Sequence, residues 1–455
     1  VTGGSDALAA GAAQPRKAWS SPTAVVAALA ILPGVILSLI GWRYSANLAG
    51  LLPVELTNAH VLRRVLSTIF DPSTYADSWR PMQQALAVLA GPDRDTLYET
   101  LFFQQGVRFQ YPPTSLIPLE LLSKLGISSV RALNAINSLA LVLNAASLAG
   151  LALVLFRPRA QPSSSDWPSQ HGMAVLAAGC TFLFYPVMRA HVLGQIQLWI
   201  DLLFTLSVLM WVLEKRLAAG VLVGLACAIK PQLGLVVLWA LLWGQNRFLA
   251  GALLVLVPLA LVSVGRYGLH NHLEYLQVLS FLSRHGESFF ANNSINGILN
   301  GYLSPDDTLR WSEAAFTPFN PIVYAGTLAS SLVFYGLLIL RPLWSRGRRP
   351  EAADFAAAAI CTILGSPVAW EHHYGLLAPL FLLALHAALS LRDARPRLTV
   401  LSLTFIAWVL VANFIPFASL LAGTPFAIAQ AYCFFGALLL LGALLAIRPD
   451  PIPAR

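Results

Sequence analysis

Residues 217–264 read LAAGVLVGLACAIKPQLGLVVLWALLWGQNRFLAGALLVLVPLALVSV, and over that whole length only Lys230 and Arg247 carry charge. A water-exposed helix needs a polar face, which this stretch lacks. It belongs in hydrocarbon, where about 20 apolar residues cross the bilayer core. Pro231 and Arg247 divide it into runs at about 217–229, 231–246 and 247–265. Similar runs lie at about 22–42, 130–156, 173–189, 196–213, 321–341, 353–369, 372–391, 398–416 and 425–447. Together they predict about twelve crossings. The chain as a whole agrees: of 455 residues 57% are hydrophobic and 11% charged, at a mean hydropathy of +0.67. An ordinary soluble domain carries roughly 25% charged residues. This composition excludes a soluble enzyme, a disordered chain and a disulfide scaffold. Continuous runs instead of alternation exclude a transmembrane barrel. The expected fold class is therefore an all-α polytopic membrane protein, with residues 1–455 forming one integral membrane domain.

The basic residues sort to one side. Arg157 with Arg159, Lys215 with Arg216, Arg247, the set Arg341, Arg346, Arg348 and Arg349, the set Arg392, Arg395 and Arg397, and Arg448 all alternate to the face of Arg16 and Lys17 in the tail 1–20. By the positive-inside rule that face is cytoplasmic and holds both termini. Topology thus accounts for the net charge of +8, and no nucleic-acid partner is expected. The opposite face receives two long segments, 43–129 and 266–320. Within the first, 61–70 and 79–89 have helical spacing with exposed charges, and 112–125 is apolar but too short to span easily. These read as interfacial or re-entrant helices. Cys180, Cys227, Cys361 and Cys433 all fall inside apolar runs without CxxC spacing and read as packing residues.

Laid over this topology, the unusual polar residues gather on the outer face: Asp71, Asp77, Tyr111, Gln195, Gln197, Asp201, Lys230, Asn292, Asn293, Glu371, His372 and His373. Polar groups at membrane depth are costly unless they face a cavity or a partner, so the clustering predicts a site that opens outward. Lys230, left at a helix mouth by Pro231, reads as a phosphate-holding cation or as a snorkelling lysine. Asp201, one turn below Gln197, either pairs with a cation or joins the site. His372 and His373 suit phosphate contacts or proton transfer better than metal, since no HExxH or CxxC partner exists. Asn292 and Asn293 read as hydrogen-bonding partners for a sugar or lipid phosphate, as a plain loop, or as part of a glycosylation sequon. Asp77 reads as a general base beside a membrane-surface groove or as the cap of the helix that follows it.

These residues resemble the polytopic GT-C glycosyltransferases that use polyprenyl-phosphate sugars, and within them the mycobacterial-type α-mannosyltransferases of glycosyltransferase family 87. The resemblance runs over roughly 60–390. It rests on Asp77 with Gly91 and Leu97-Tyr98 downstream, Tyr111-Pro112-Pro113, Gly194-Gln195, and Gly220 and Gly224 on the helix ending in Lys230-Pro231. It also takes in Asn292-Asn293-Ser294, and Ser366-Pro367 followed by Trp370-Glu371-His372-His373. The order of these elements on one membrane face makes the combination specific. Ser78-Trp79-Arg80-Pro81 departs from the family's acid-aromatic-x-x-Tyr arrangement.

The resemblance implies a GT-C-type fold and transfer of a sugar, mannose first, from a polyprenyl-phosphate donor to a hydroxyl of a lipid or glycan acceptor. The setting is the extracytoplasmic face of a bacterial cytoplasmic membrane. Asp77 would be the base, with Asp71 the runner-up. Lys230, His372, His373 and Arg266 would hold the donor phosphate, with His191 a lesser candidate. Tyr111, Gln195, Gln197, Asn292, Asn293 and Glu371 would contact sugar or acceptor. No cofactor is expected, and no metal, because the leaving group is already a phosphate; membrane lipids, donor and acceptor are the expected partners. Alternatives are an arabinofuranosyl or other hexosyl transferase, a secondary transporter or lipid flippase, and an inactive scaffold.

Overall fold

The apolar runs fold as helices. The computed structural model describes residues 21–43, 58–72, 75–158, 167–304, 307–312, 316–344 and 350–447. The tail with Arg16 and Lys17, and Arg159, Arg346, Arg348, Arg349 and Arg448, lie outside the described residues, as does most of the Pro/Ser-rich 161–169 loop. Among the described residues there is no strand, only an isolated bridge between Asn292 and Trp370. Seven helices among the described residues are long and apolar enough to cross a membrane: Pro22–Gly41, Val130–Leu155, Asn246–Tyr267, Pro321–Leu343, Glu371–Ser390, Ala394–Val411 and Ala427–Ala446. Four more are apolar but shorter: Gln197–Val212, Arg216–Ile229, Pro231–Leu242 and Ala352–Leu364.

The run expected at 173–189 is not one straight helix. It is a pair, Gln170–Thr181 and Tyr185–Leu193, bent by 43°, and counts as an eighth span if the pair crosses together. Pro186 explains the break. Proline lacks an N–H and clashes inside a helix but fits its first turn, so the second helix starts there and continues to Leu193.

Burial separates core from periphery. In Glu371–Ser390 and Ala427–Ala446, 61% of the window is buried, against 6% in Pro22–Gly41. Leu254, Leu261, Leu332 and Val333 face outward on the peripheral helices, a surface suited to lipid tails. Arg216–Ile229 and Asn246–Tyr267 pack as an intimate pair, because a side chain at Gly220 or Gly224 would strike the backbone at Phe248 or Ala252. This is the small-residue contact that lets membrane helices approach closely.

At one end of the bundle the two long connections form a layer. Asn58–Phe70 buries Val61 and Val65 and leaves Leu66 and Phe70 exposed. Trp79–Ala90 buries Trp79, Met82 and Ala85. A π-helical turn at Glu99–Gln104 and the helix Leu116–Lys124 follow. The apolar 112–125 stretch thus makes a 3-10 turn and a nine-residue helix, too short to span. Arg108 joins the two connections: it ion-pairs with buried Glu287 and lies 4.2 Å from the Trp311 and Phe316 ring centroids. Glu120 clasps Arg266 at 3.1 Å and accepts from the Tyr267 hydroxyl at 2.8 Å. The Arg266 hydrogen bonds hold the Glu120 carboxyl down at about 2. At the far end Arg341, read above as a loop cation, is paired at 2.7 Å with the buried carboxylate of Asp354.

Candidate functional site

Six segments meet at the end of the bundle where the long connections lie. The first is Tyr75-Ala76-Asp77-Ser78-Trp79. Trp79 enters the core, and its indole N–H donates to Asn134 Oδ1 at 2.8 Å, while Asn134 Nδ2 donates to the Tyr75 carbonyl at 2.8 Å. The second segment begins at Gly194, whose φ of 68° ends the helix Tyr185–Leu193 in the left-handed region. A side chain there would collide with the Tyr75 carbonyl, so glycine lets the two segments lie side by side. Asp77 N donates to the Leu193 carbonyl at 3.1 Å and Ser78 N to the Gly194 carbonyl at 3.4 Å.

Gln195 then organises the acid. Its Nε2 donates to Asp77 Oδ2. Its Oε1 accepts from Ser78 Oγ at 2.7 Å and lies 3.2 Å from the Tyr111 hydroxyl. Ser78 Oγ in turn accepts from the Ile196 N–H at 3.1 Å and meets the Tyr111 hydroxyl at 2.8 Å. With hydroxyls on its oxygen, the amide can only turn its N–H toward the carboxylate. Burial raises the Tyr111 phenol above its ordinary range, so it stays a proton donor. Ser78, not Asp77, directly precedes the helix, and its own side chain makes no cap bond. Asp77 is exposed, oriented by Gln195, and able to meet a hydroxyl from the open side. Gln195→Leu removes that orientation, and its expected effect on any reaction using Asp77 is a ~10–100-fold drop in kcat with KM for the donor unchanged. Steady-state kinetics of the variant check it.

The second group begins two residues on. Gln197 Nε2 donates to Asp201 Oδ1 at 2.8 Å, and Lys230 Nζ donates to Gln197 Oε1 at 3.0 Å. Lys230 therefore turns inward, unlike a snorkelling lysine, and meets Asp201 through an amide instead of directly. Thr114 Oγ1 donates to the Ala228 carbonyl at 2.5 Å, docking the Tyr111-Pro112-Pro113 segment on the same helix end. A small cavity beside Lys230 is lined by Gln232, Thr362, Ser366 and His373. Gln195 and Gln197 flank Ile196, so the acid network and the lysine network diverge from one short segment.

The last two segments, 291–294 and 366–374, are sewn together. Asn293 N donates to the Ala369 carbonyl at 2.8 Å and Glu371 N to the Ala291 carbonyl at 3.0 Å. Asn292 Oδ1 accepts from Ala369 N and Ser294 Oγ, and its Nδ2 donates to the Glu287 carbonyl at 3.0 Å. Asn293 Oδ1 accepts from Cys433 N at 3.0 Å. Both asparagines are buried and committed to the scaffold. Glu371 is likewise buried, each oxygen taking a tyrosine hydroxyl, Tyr432 at 2.6 Å and Tyr185 at 3.0 Å. These three residues fix the segment that carries His372 and His373, whose rings sit edge to face at 4.7 Å. His373 Nδ1 accepts from Trp370 N at 3.3 Å.

Three candidates stand apart. Arg266 is bound to Glu120, Asp71 is an exposed partner of Arg131, and His191 pairs with Thr68 at 3.1 Å. Among the described residues no three His, Cys, Asp or Glu side chains group as metal ligands. Sequence reading missed Ser78 and Asn134. Ser78 stood next to the candidate acid but looked only like a departure from a pattern.

The family model described as Glycosyltransferase family 87 matches residues 109–367, more than half of the chain. The match takes in Tyr111, Gln195, Gln197, Lys230, Asn292 and Asn293; Asp77 lies before it, and Glu371, His372 and His373 after it. No curated protein matches the chain.

Proposed function

Because the chain belongs to glycosyltransferase family 87 and is a membrane glycosyltransferase, we propose that it uses a polyprenyl-phosphate sugar, mannose being the first candidate. The acceptor is a hydroxyl of a lipid or glycan at the extracytoplasmic face of the bacterial cytoplasmic membrane. Asp77 takes the acceptor proton, the acceptor oxygen attacks the anomeric carbon with inversion, and the bond to the phosphate oxygen breaks. Lys230, with His372 and His373, stabilises the charge that grows on the departing phosphate. In this reading the four shorter apolar helices and the bent pair complete twelve crossings, with both termini cytoplasmic.

One observation carries the proposal: two glutamines two residues apart on one segment hold the two charges, Gln195 steering the exposed carboxylate of Asp77 and Gln197 accepting from the inward-facing ammonium of Lys230. Such a displacement needs a base on the acceptor side and a cation on the leaving-group side. The carrier's chain would lie among the spans, each buried methylene contributing about 0.8 kcal/mol.

The test is a transfer assay with the full chain in lipid vesicles, a panel of polyprenyl-phosphate sugars, and mass analysis of the lipid products. The expected result is a glycosylated acceptor formed from one polyprenyl-phosphate donor, undiminished by a chelator because the phosphate already serves as leaving group. Movement of the intact donor across the bilayer without product would assign a flippase instead. Loss of turnover in chelator, restored by a divalent cation, would overturn the metal-independent step.

A further inference from the structure

The helix Tyr185–Leu193 carries a cation that the mechanism above does not use. Arg189 is half-buried and, among the described residues, makes no hydrogen bond or ion pair. Its position is set by Tyr185, one turn earlier on the same helix face, whose hydroxyl reaches Glu371 at 3.0 Å. The guanidinium therefore lies on the helix face turned toward the Glu371–His373 segment, where the charges of Arg189 and Lys230 both reach the His372 ring. Glu371 is the acid nearest to hand, yet its two oxygens are held by Tyr185 and Tyr432. Five N–H donors in a planar fork are thus uncommitted at the edge of the site. That fork matches the oxygens of a phosphate better than a single ammonium does.

We infer that Arg189 is the second arm of the phosphate site, gripping the leaving phosphate from the Tyr185–Leu193 helix while Lys230 holds it from the end of the Arg216–Ile229 helix. The inference rests on the polyprenyl-phosphate reading and sharpens it. The donor is a phosphodiester with one negative charge. When the acceptor oxygen bonds to the anomeric carbon, the electron pair of the breaking C–O bond passes to the phosphate oxygen and the acceptor proton to Asp77. The departing polyprenyl phosphate then bears a second negative charge. Lys230 already answers to Asp201 through Gln197, so a fork with free donors is suited to the charge that appears during the reaction. Arg189 should therefore favour product and transition state over donor.

The experiment measures binding of polyprenyl monophosphate, the phosphodiester donor and uncharged polyprenol to the full chain and to Arg189→Gln and Arg189→Lys variants, with kcat and KM alongside. The expected result for Arg189→Gln is a ~10–100-fold loss of polyprenyl phosphate affinity, a smaller loss for the donor, none for polyprenol, and a fall in kcat larger than the rise in KM. Arg189→Lys keeps the charge but loses the fork, and should lie between. Polyprenyl phosphate binding as tight as wild type in either variant would overturn the inference. If Arg189→Gln fails to fold, Arg189→Lys decides alone, with an unchanged affinity counting against. A wild-type protein that binds polyprenyl phosphate no better than polyprenol would remove the donor assignment itself, and Arg189's role with it.

Discussion

Asp77→Asn is expected to lower kcat by about 10³-fold or more, toward complete loss of transfer, while donor affinity and thermal stability stay at wild-type levels. A positioned general base contributes roughly 10²–10⁴-fold, and this one has an amide already aligned to it. The side chain is exposed and the substituted oxygen can still accept from Gln195 Nε2, so the fold loses little. Asp71→Asn is the matched control. Asp71 pairs with Arg131 where both are well exposed, an arrangement contributing about 0–1 kcal/mol, and its loss should leave turnover unchanged. Single-turnover measurement with saturating donor separates the outcomes. Retained transfer in Asp77→Asn, or loss in Asp71→Asn alone, would move the base to the runner-up or out of this loop.

The difference between what could and could not be read in the chain has a physical basis. Hydropathy is a local property, so the spanning runs and the face on which Tyr111, Gln195 and Lys230 gather were visible residue by residue. The bend before Tyr185 was visible too, in Pro186, but was outweighed by the apolar run around it. Hydrogen-bond partnership is not local. Asn292 and Asn293 are the right residue types for a sugar, yet Ala369 N and Cys433 N, distant in sequence, had first claim on their carbonyl oxygens. Glu371 was lost to Tyr185 and Tyr432 for the same reason. A buried polar atom left unpaired costs about 1–3 kcal/mol, so the fold settles such partnerships before any substrate arrives. Ser78 is the converse. It looked like a defect in a motif, and it is the hydroxyl that fixes Gln195 and through it Asp77.

Lys230→Met is expected to weaken donor binding about 100-fold, but the same substitution also disturbs the interior, so the two effects must be separated. Removing the ammonium leaves Gln197 Oε1 without its donor and the buried Asp201 carboxylate without a cation. Leaving a buried polar group without its partner typically costs about 1–3 kcal/mol, which should appear as a lowered Tm. The double variant Lys230→Met with Asp201→Asn removes both charges together, and most of the lost stability should return, since neither residue then leaves an uncompensated charge in the core. Donor affinity should not return, because no cation stands at the mouth of the helix to meet the phosphate. Thermal unfolding and donor binding measured on the same two preparations decide the matter. If affinity recovers along with Tm in the double variant, Lys230 serves only as the counter-charge of Asp201, and the phosphate must be held elsewhere, with Arg189 and His372 the groups left to hold it.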